Sequence, residues 1–404
     1  MPATITAIVP TYNRAALLGE ALDALLAQSR PVAEIIVWDD GSTDATESVA
    51  RARAGPVRYF HGANGGKSRA LNAAMARARG DYVWICDDDD IALPRAAEML
   101  AEPLDRCAGI GVSAASYRRF RTEGGQRIES GPGYWPDLRQ GSVLRHLLED
   151  IFLFQNATLA RRGCYAEVGP FREDLSRSID YDMIVRLAAR YPVHVTEKPV
   201  FLQRKHDGDR GPAAARHAAA RSDEVWKAAD RAVFAPFRQS LPLALYEAMY
   251  GGAAPGARRR AALLQRGCVY ARRTDWDSAL EDFAQAAAIL PDTALSRTER
   301  AICLRAMAGK HGCAEALAPP IRARLARLGR QGPAGAAIAR GLLRGLVWRL
   351  RHAVRARDAQ MVLRLVAGFA RIGAASWRPA GATWPALTER REPALLPLVL
   401  GEHE

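Results

Sequence analysis

The chain has 404 residues, 49% of them hydrophobic and 25% charged, with 33 glycines and 23 prolines. This composition is typical of soluble globular protein and excludes disordered and collagen-like chains, and the length predicts two domains that need no disulfide or structural metal. The net charge of +13 is confined to the second half, because residues 1–210 hold 27 basic and 28 acidic side chains whereas residues 211–404 hold 30 and 16. Different functions for the two halves are therefore expected.

The cysteines and the first residues indicate the cellular compartment. The six cysteines form no C-x-x-C pair and are mostly far apart, which predicts reduced thiols rather than zinc ligands or a disulfide framework. The first residues lack the features of a signal peptide, and no run of 18 apolar residues is free of charge. We therefore expect a cytoplasmic protein without a membrane span.

Short apolar strands alternate with helical stretches over the first 110 residues. The strands read ITAIVP, EIIVWDD, VRYF and YVWI, with helices expected at about 14–28, 44–53 and 67–79. This alternation predicts an α/β fold, a mostly parallel sheet with helices on both faces, whose ligands bind beyond the carboxyl ends of the strands. Residues 111–170 show weak periodicity, and a further helix and strand are expected between 180 and 206.

After residue 210 the composition shifts to alanine and arginine, which predicts an all-α domain over residues 211–404. Between about 260 and 292 the spacing is that of one tetratricopeptide helix pair, although alanine-rich amphipathic helices also produce it by chance. The residues on this spacing are Leu263, Gly267, Tyr270, Ala279, Phe283, Ala286 and Pro291. A helix pair is expected and a peptide-binding array is not, because the repeat does not recur.

Residues 316–378 hold thirteen arginines and one acid, Asp358. An apolar stripe recurs there every four residues beside a basic face, which predicts a cationic amphipathic helix. The stripe is Ile338, Leu342, Leu346, Leu350 and Val354, and the basic face is Arg340, Arg344, Arg351 and Arg355. Such a helix either lies on an anionic membrane or packs on its own domain, and both interpretations stay open. No nucleic-acid partner is expected, because no recognition motif accompanies the charge.

Four adjacent aspartates, 87–90, directly follow the strand YVWI. Carboxylates this close repel one another in a partly desolvated crevice, and a divalent cation among them relieves the repulsion. A solvated acidic loop is the alternative. The position at a strand end favours a site for Mg²⁺ or Mn²⁺ that holds a diphosphate and neutralises a leaving group.

Polar residues also end the first two strands, in IVPTYNR at 8–14 and IIVWDDGSTD at 35–44. Their side chains are suited to a nucleobase and ribose, with helix capping by Asn13 or Asp44 as the alternative. The segment NGGKSRALNAA at 64–74 lacks the Walker spacing and is no P-loop, but its glycines permit a close backbone approach with Lys67 near ligand oxygens.

These motifs, with CDDDDIALP, IDYDMIVRLA at 179–188 and FLQRKH at 201–206, resemble the inverting family 2 glycosyltransferases of GT-A fold over about residues 4–207. The resemblance implies a GT-A glycosyltransferase domain over residues 1–210. It implies metal-dependent transfer from a nucleoside-diphosphate sugar, a UDP-sugar first, to a saccharide or lipid-linked saccharide in cell-envelope polysaccharide synthesis. Such an enzyme would be cytoplasmic or peripheral on the inner face of the membrane. A degenerate transferase-like scaffold that binds a partner through its helical half is the alternative.

Residue by residue, the resemblance implies Asp180 as the catalytic base and Asp89 and His206 as metal ligands, with Asp87 and Asp89 forming the D-x-D pair. The implied nucleotide-sugar-binding residues are Pro10, Thr11, Tyr12, Asn13, Asp39, Asp40, Gly66, Lys67, Asn72, Asp87 and Asp88. The sequence departs from the family at Ile179, where an acidic residue usually precedes the base.

That departure makes Asp182 an alternative base. We prefer Asp180, since residues two apart on a helix face apart. The alternative role of Asp180 is capping its helix, and that of His206 is pairing with Asp207 or Asp209.

Overall fold

The computed structural model describes residues 2–205, 222–252, 254–310, 314–376 and 387–390, and they group into two units. The first unit contains residues 2–137 and 151–205, and the second contains residues 138–150 and those described from 223 onwards. The sequence placed 138–150 in the first domain. Their assignment to the helical unit depends on contacts with residues more than a hundred positions away, which no local pattern records.

The first unit is a sheet with helices packed on it. Its strands are β1 (Ile5–Thr11), β2 (Glu34–Asp39), β3 (Val57–His61), β4 (Tyr82–Ile85), β5 (Ile91–Ala92), β6 (Val112–Glu123), β7 (Gln126–Pro132), β8 (Thr158–Arg161) and β9 (Val193–Arg204). The helices up to residue 190 are α1 (Ala15–Leu26), α2 (Thr46–Arg51), α3 (Lys67–Met75), α4 (Ala96–Arg106), α5 (Val143–Glu149), α6 (Arg162–Val168) and α7 (Ile179–Arg190). Of these helices, α5 belongs to the second unit.

The strands of the sheet run in the order β3-β2-β1-β4-β8-β6-β9-β5, and β7 pairs with β6. Strands β1 to β4 are mutually parallel, as the alternation predicted. Strand β8 then pairs antiparallel with both β4 and β6. The predicted α/β class is confirmed, but the sheet is mixed rather than mostly parallel, because the segment of weak periodicity adds the strands β6, β7 and β8 with antiparallel pairing.

Burial explains why β1, β2 and β4 are mostly apolar. Every residue of β1 is buried, and Val9, Val37 and Trp84 of adjacent strands share one core with Leu22 and Leu100 of the covering helices. A parallel strand covered on both faces needs such a continuous apolar run. Polar residues cluster where these strands end, so the carboxyl ends of β1, β2 and β4 bring them to one edge.

The second unit is helical. Besides α5 it contains α8 (Ser222–Phe234), α9 (Phe237–Ser240), α10 (Leu243–Glu247), α11 (Pro255–Arg272), α12 (Trp276–Ile289), α13 (Arg297–Ala306), α14 (Pro319–Gly329), α15 (Gly332–Gly345), α16 (Val347–Arg355) and α17 (Ala359–Ala375). The two-residue strands β10 (Tyr250–Gly251) and β11 (Thr388–Glu389) pair antiparallel.

The helix pair expected between 260 and 292 is present as α11 and α12. A turn with Thr274 at φ 60° joins them, and the Asp275 side chain caps α12 by accepting a hydrogen bond from the Ser278 N–H at 3.1 Å. Gly267 lies against Phe283 so closely that a Cβ there would be 2.6 Å from a ring carbon. The likeness to a tetratricopeptide stays a prediction.

The single amphipathic helix expected over residues 338–354 is instead two helices, α15 and α16, with Leu346 between them. Ile338, Leu342 and Leu346 are buried. At the end of α15, a Cβ on Gly345 would lie 2.7 Å from the Leu304 carbonyl oxygen, so the helices approach closely here. This part of the stripe is therefore core of the helical unit.

Among the described residues, no helix is both long and apolar enough to span a membrane. The five cysteines within the described ranges are free thiols, and all but Cys107 are buried.

Candidate active site

Asn156 holds the acidic turn that follows β4. Its side-chain oxygen accepts a hydrogen bond from the Asp87 N–H at 2.7 Å, and its amide nitrogen donates to the Asp90 carboxylate at 2.7 Å. Its own carbonyl oxygen accepts a hydrogen bond from the Trp84 indole at 2.8 Å. Because Asn156 is buried, the turn has a fixed shape before any ligand arrives.

Arg204, near the end of β9, holds the turn from the other side. Its backbone N–H donates to the Asp90 carboxylate at 2.8 Å, and its guanidinium donates to the Asp89 carbonyl oxygen at 2.9 Å. The guanidinium also lies over the Phe120 ring at 4.6 Å, which fixes its plane. Asp90 is thus occupied by contacts within the protein.

Two cations face the remaining carboxylates. Lys67, the first residue of α3, pairs with Asp87, and Arg14 pairs with Asp89 at 3.0 Å. Burial and the charge of Asp89 nevertheless raise the pKa of Asp88 to about 7. Burial and the charges of Asp87 and Asp89 raise the pKa of Asp90. Full ionisation of the four carboxylates at this turn is therefore disfavoured even with both cations in place.

The donor atoms at the turn fit a hard divalent cation shared with a ligand. Carboxylate oxygens are the ligands that Mg²⁺ prefers, and Mg²⁺ commonly takes one or two of them plus phosphate oxygens and water. In the described part of the chain, no three acidic, histidine or cysteine side chains converge into a complete metal cage. Asp87 and Asp89 would therefore supply only part of the coordination, and the implied ligand His206 lies outside the described residues.

Asp40 shapes the glycine loop before α3. Its carboxylate accepts hydrogen bonds from the backbone N–H groups of Gly65 at 2.9 Å and Gly66 at 2.8 Å. Gly66 has φ 88°, a conformation that residues with a Cβ rarely adopt. This loop places Lys67 beside the acidic turn, so Asp40 positions the lysine. A contact of Asp40 with the nucleobase of a bound nucleotide sugar stays a prediction.

The loops after β1 and β2 are hydrogen-bonded to each other. Asn13, at φ 50°, donates its N–H to the Ser42 hydroxyl at 2.8 Å, and its side-chain oxygen accepts from the Thr43 N–H at 2.8 Å. Asp39 accepts hydrogen bonds from the Ser42 N–H and the Tyr59 hydroxyl, both at 2.7 Å. These contacts fix the edge to which the sequence assigned a nucleotide.

The other residues expected at this edge differ in exposure. Pro10 and Thr11 are buried in β1, opposite Trp38 and Asp39 of β2, whereas Tyr12 is 47% exposed. Tyr12 is therefore the residue of this group most open to a ligand.

Asp180 is the second residue of α7 and half-buried, and Ser178 rather than Asp180 occupies the N-cap position. Burial raises the pKa of Asp180, the charge of Asp87 raises it further, and the charge of Lys67 opposes this rise. These interactions associate Asp180 with the cluster formed by the acidic turn and Lys67.

Asp182, the alternative base, is fully buried in the first unit. Its carboxylate accepts a hydrogen bond from Arg186 at 2.9 Å and pairs with Arg172 at 3.5 Å. Both oxygens are therefore held by arginines. The residue before Asp180, Ile179, is buried as well, so an apolar contact stands where the family usually has an acid.

Asn72 links α3 to the segment that leads into α7. Its side-chain oxygen accepts from the Phe171 N–H at 2.8 Å, and its amide nitrogen donates to the Phe171 carbonyl at 3.0 Å and to Glu173 at 3.1 Å. The sequence assigned Asn72 to the nucleotide sugar, whereas its contacts here are within the protein. The assignment to the ligand stays a prediction.

Sequence reasoning missed three residues that position the site: Arg14, Asn156 and Arg204. Arg14 and Arg204 lie inside quoted motifs and could have been noticed as cations near an acidic run. Asn156 lies 66 residues from Asp90, which it contacts, and no local signal marks it.

Comparison with known proteins agrees with this geometry. Residues 6–164 match the family model described as glycosyl transferase family 2. An uncharacterized glycosyltransferase of Rickettsia felis is 31% identical over 221 residues, which cover 50% of this chain and 34% of that protein. Chondroitin synthase of Pasteurella multocida is 27% identical over 187 residues, covering 46% of this chain and 19% of the synthase. The chain thus spans about a third or less of these relatives.

A solved structure of S. aureus TarS, residues 1–349 in complex with UDP-GlcNAc, aligns with a TM-score of 0.50. The two chains are 15% identical, and the alignment covers 86% of this chain and 91% of that one. This likeness concerns the fold, and it confirms the predicted fold.

Proposed function

We propose that the chain transfers a sugar from a nucleoside-diphosphate sugar to a hydroxyl group, on the basis of the match of residues 6–164 to glycosyl transferase family 2. The observation that carries the proposal is the electrostatic grouping of Lys67 and Asp180 with the acidic turn 87–90. Parallel α/β sheets bind ligands at the carboxyl ends of their strands, where this turn lies. The motif resemblance supports transfer with inversion, with Asp180 as the base.

Asp180 is the base in this proposal. Its partly buried carboxylate has a raised pKa, which increases its affinity for the proton of the acceptor hydroxyl. The positive charge of Lys67 opposes the rise and so favours the ionised carboxylate that accepts the proton.

Asp87 and Asp89 would hold Mg²⁺ or Mn²⁺. The bound cation would neutralise the negative charge that develops on a diphosphate leaving group. Lys67 lies beside Asp87 and is free to turn to a phosphate oxygen, because its side chain is 39% exposed. Burial alone would lower the pKa of Lys67, but Asp87, Asp180 and Asp88 raise it, so the lysine is cationic at neutral pH. It therefore adds positive charge where the diphosphate departs.

For the donor we propose a UDP-sugar, and for the acceptor a saccharide or lipid-linked saccharide of the cell envelope, on the cytoplasmic face of the membrane. The motif resemblance supports both. The names of the relatives, glycosyltransferase and chondroitin synthase, belong to the same class of reaction.

Calorimetric titration with UDP and GDP, with and without Mn²⁺, tests the proposal. We expect metal-dependent binding of one nucleotide, and Asp89→Ala should abolish the metal-dependent part. The matched control is Glu102→Ala, which removes an exposed carboxylate of α4 that pairs only with Arg106 on the surface. If no nucleotide binding depends on metal, the catalytic assignment is wrong. That result would favour the alternative of a degenerate transferase-like scaffold.

A further inference from the structure

Helices α16 and α17 expose large apolar side chains to solvent. The most exposed are Val347 (37%), Trp348 (48%), Val354 (58%), Leu363 (70%) and Val366 (50%). Single exposed apolar residues are ordinary, whereas a cluster of them marks an interaction surface.

The helical spacing places these residues on the outward faces of two adjacent helices. On α16 the exposed positions include 347, 348, 351, 352, 354 and 355, while Ala353 is buried. On α17 the exposed positions include 363, 364, 366, 367, 370 and 371, while Leu365, Gly368 and Ile372 are buried. Helices α16 and α17 are joined by residues 356–358 and contact each other.

Arginines surround these apolar side chains. The exposed ones are Arg344, Arg351, Arg355, Arg357, Arg364 and Arg371. Asp358 is the only acidic residue between 332 and 376, and within the described ranges none of the six arginines pairs with a carboxylate. By contrast, Arg349 turns inward and donates to the carbonyl oxygen of Gly309 at 3.0 Å. We define the five apolar and six basic residues as the α16–α17 surface.

We propose that the α16–α17 surface docks on an anionic lipid bilayer, with its apolar side chains in the headgroup boundary and its arginines on lipid phosphates. Burying apolar area and pairing arginine with anionic headgroups are the two contributions that hold interfacial helices. A nucleic acid would satisfy the arginines alone and leave Trp348 and Leu363 in water. The surface differs from the stripe expected from sequence, because Ile338, Leu342 and Leu346 are buried.

This inference goes beyond the proposed transfer reaction and does not need it, because vesicle binding is measured without donor or acceptor. Co-sedimentation of the full chain with an equal mixture of phosphatidylglycerol and phosphatidylcholine is compared with phosphatidylcholine alone. We expect binding to the anionic vesicles at low salt, at least about tenfold stronger than to the neutral ones and weakened by added salt.

Two variants separate the contributions, and one serves as control. Arg355→Glu with Arg364→Glu should weaken binding at least about tenfold, and Trp348→Ala with Leu363→Ala should weaken it also at high salt, where the arginines are screened. The control, Arg106→Glu with Arg259→Glu, makes the same change of net charge at exposed residues elsewhere and should bind like the native chain.

Circular dichroism confirms that each variant is folded before binding is compared. Equal loss in the test and control variants would overturn the proposal, as would equal binding to both vesicle types. Binding to a DNA duplex that resists the Trp348 and Leu363 substitutions would assign the surface to nucleic acid instead.

Discussion

At the acidic turn after β4, neutral and cationic side chains stabilise four carboxylates that would otherwise repel one another. Asn156 and the Arg204 backbone satisfy Asp90, while Lys67 and Arg14 pair with Asp87 and Asp89. The raised pKa of Asp88 indicates that this compensation is incomplete. A turn of this kind gains stability from a bound cation, which is the physical reason to expect metal dependence.

Asp180→Asn should preserve nucleotide affinity and lower turnover by about two to four orders of magnitude, because the variant lacks the base. Asp182→Asn makes the same chemical change two residues away. It should instead destabilise the protein by about 1–3 kcal/mol, since Arg186 and Arg172 lose a charged partner and keep their other acceptors. Turnover and thermal unfolding are measured on both. Loss of turnover in a stable Asp182→Asn, with an active Asp180→Asn, would reverse the assignment.

The pH dependence of turnover tests the coupling between Lys67 and Asp180. Turnover should rise with pH as Asp180 ionises, in a range above the ordinary pKa of aspartate because burial raises its pKa. Lys67 lowers that pKa, so Lys67→Met should move the rise to higher pH, whereas Lys67→Arg keeps the charge and should leave it near the native position. A pH profile unmoved by Lys67→Met would show that the two groups are not coupled.

The sequence predicted the residues of this site better than their contacts. The acidic run and Asp180 are visible because motifs are local. In the structure, two arginines hold the carboxylate of Asp182, which agrees with the preference for Asp180 as the base. Asn156 was missed, because its partners Asp87 and Asp90 are far away in sequence. The contacts by which Asp40 and Asn72 hold neighbouring loops could not be predicted either, since residue type alone does not reveal a hydrogen-bond partner.

At the scale of elements, the packing of α11 on α12 depends on Gly267. A Cβ there would lie 2.6 Å from Phe283 and 3.2 Å from the Ala279 carbonyl oxygen, so Gly267→Ala should destabilise the helical unit by about 1–3 kcal/mol. Gly256→Ala in the same helix is the matched control, because its Cβ would meet nothing closer than 3.9 Å. It should be neutral or stabilising by up to about 1 kcal/mol. Equal unfolding midpoints for the two variants would contradict the close packing.

The helix pair α11 and α12 was predictable because its spacing is local. Which apolar residues of the basic stretch 316–378 are buried was not predictable. Apolar residues every four positions predict a helix but not which neighbour covers it. Gly345 allows α15 to approach the Leu304 carbonyl, which buries Leu342 and Leu346, while α16 turns Val354 outward. The interpretation as self-packing therefore holds for α15, and the exposed apolar surface begins with α16.

At the scale of the whole molecule, the division of the chain was only partly readable. The change in charge near residue 210 marks the basic half, but residues 138–150 group with the helical unit. The reason is a buried ionic cluster in that unit, in which Glu149 pairs with Arg145 and Arg305 and accepts a hydrogen bond from Gln265. Such a cluster joins segments distant in sequence, which composition does not reveal.

The same cluster predicts acid sensitivity of the helical unit. Burial, and then the charge of Arg145, lower the pKa of His146 to about 4. Glu149 opposes this shift and Arg305 adds to it. In this pH range His146 therefore binds a proton in the unfolded chain but not in the folded unit. The free energy of unfolding falls as the pH drops from about 6.5 towards 4.

Denaturant unfolding of native protein and His146→Gln at pH 7 and pH 5 measures this effect. The native protein should lose about 2 kcal/mol more than the variant between these pH values. Parallel losses in both proteins would place the acid sensitivity elsewhere.

The account is tested most directly by release of nucleoside diphosphate from a panel of nucleotide sugars, with Mg²⁺ or Mn²⁺ and with a chelator. Because burial and mutual repulsion disfavour full ionisation of the acidic turn and Asp180 lies near Lys67, we predict that at least one donor, a UDP-sugar first, is turned over. Its turnover should fall at least about tenfold when the metal is removed. Turnover of that donor at the same rate in the chelator, or failure of the folded protein to turn over any donor, would contradict the account.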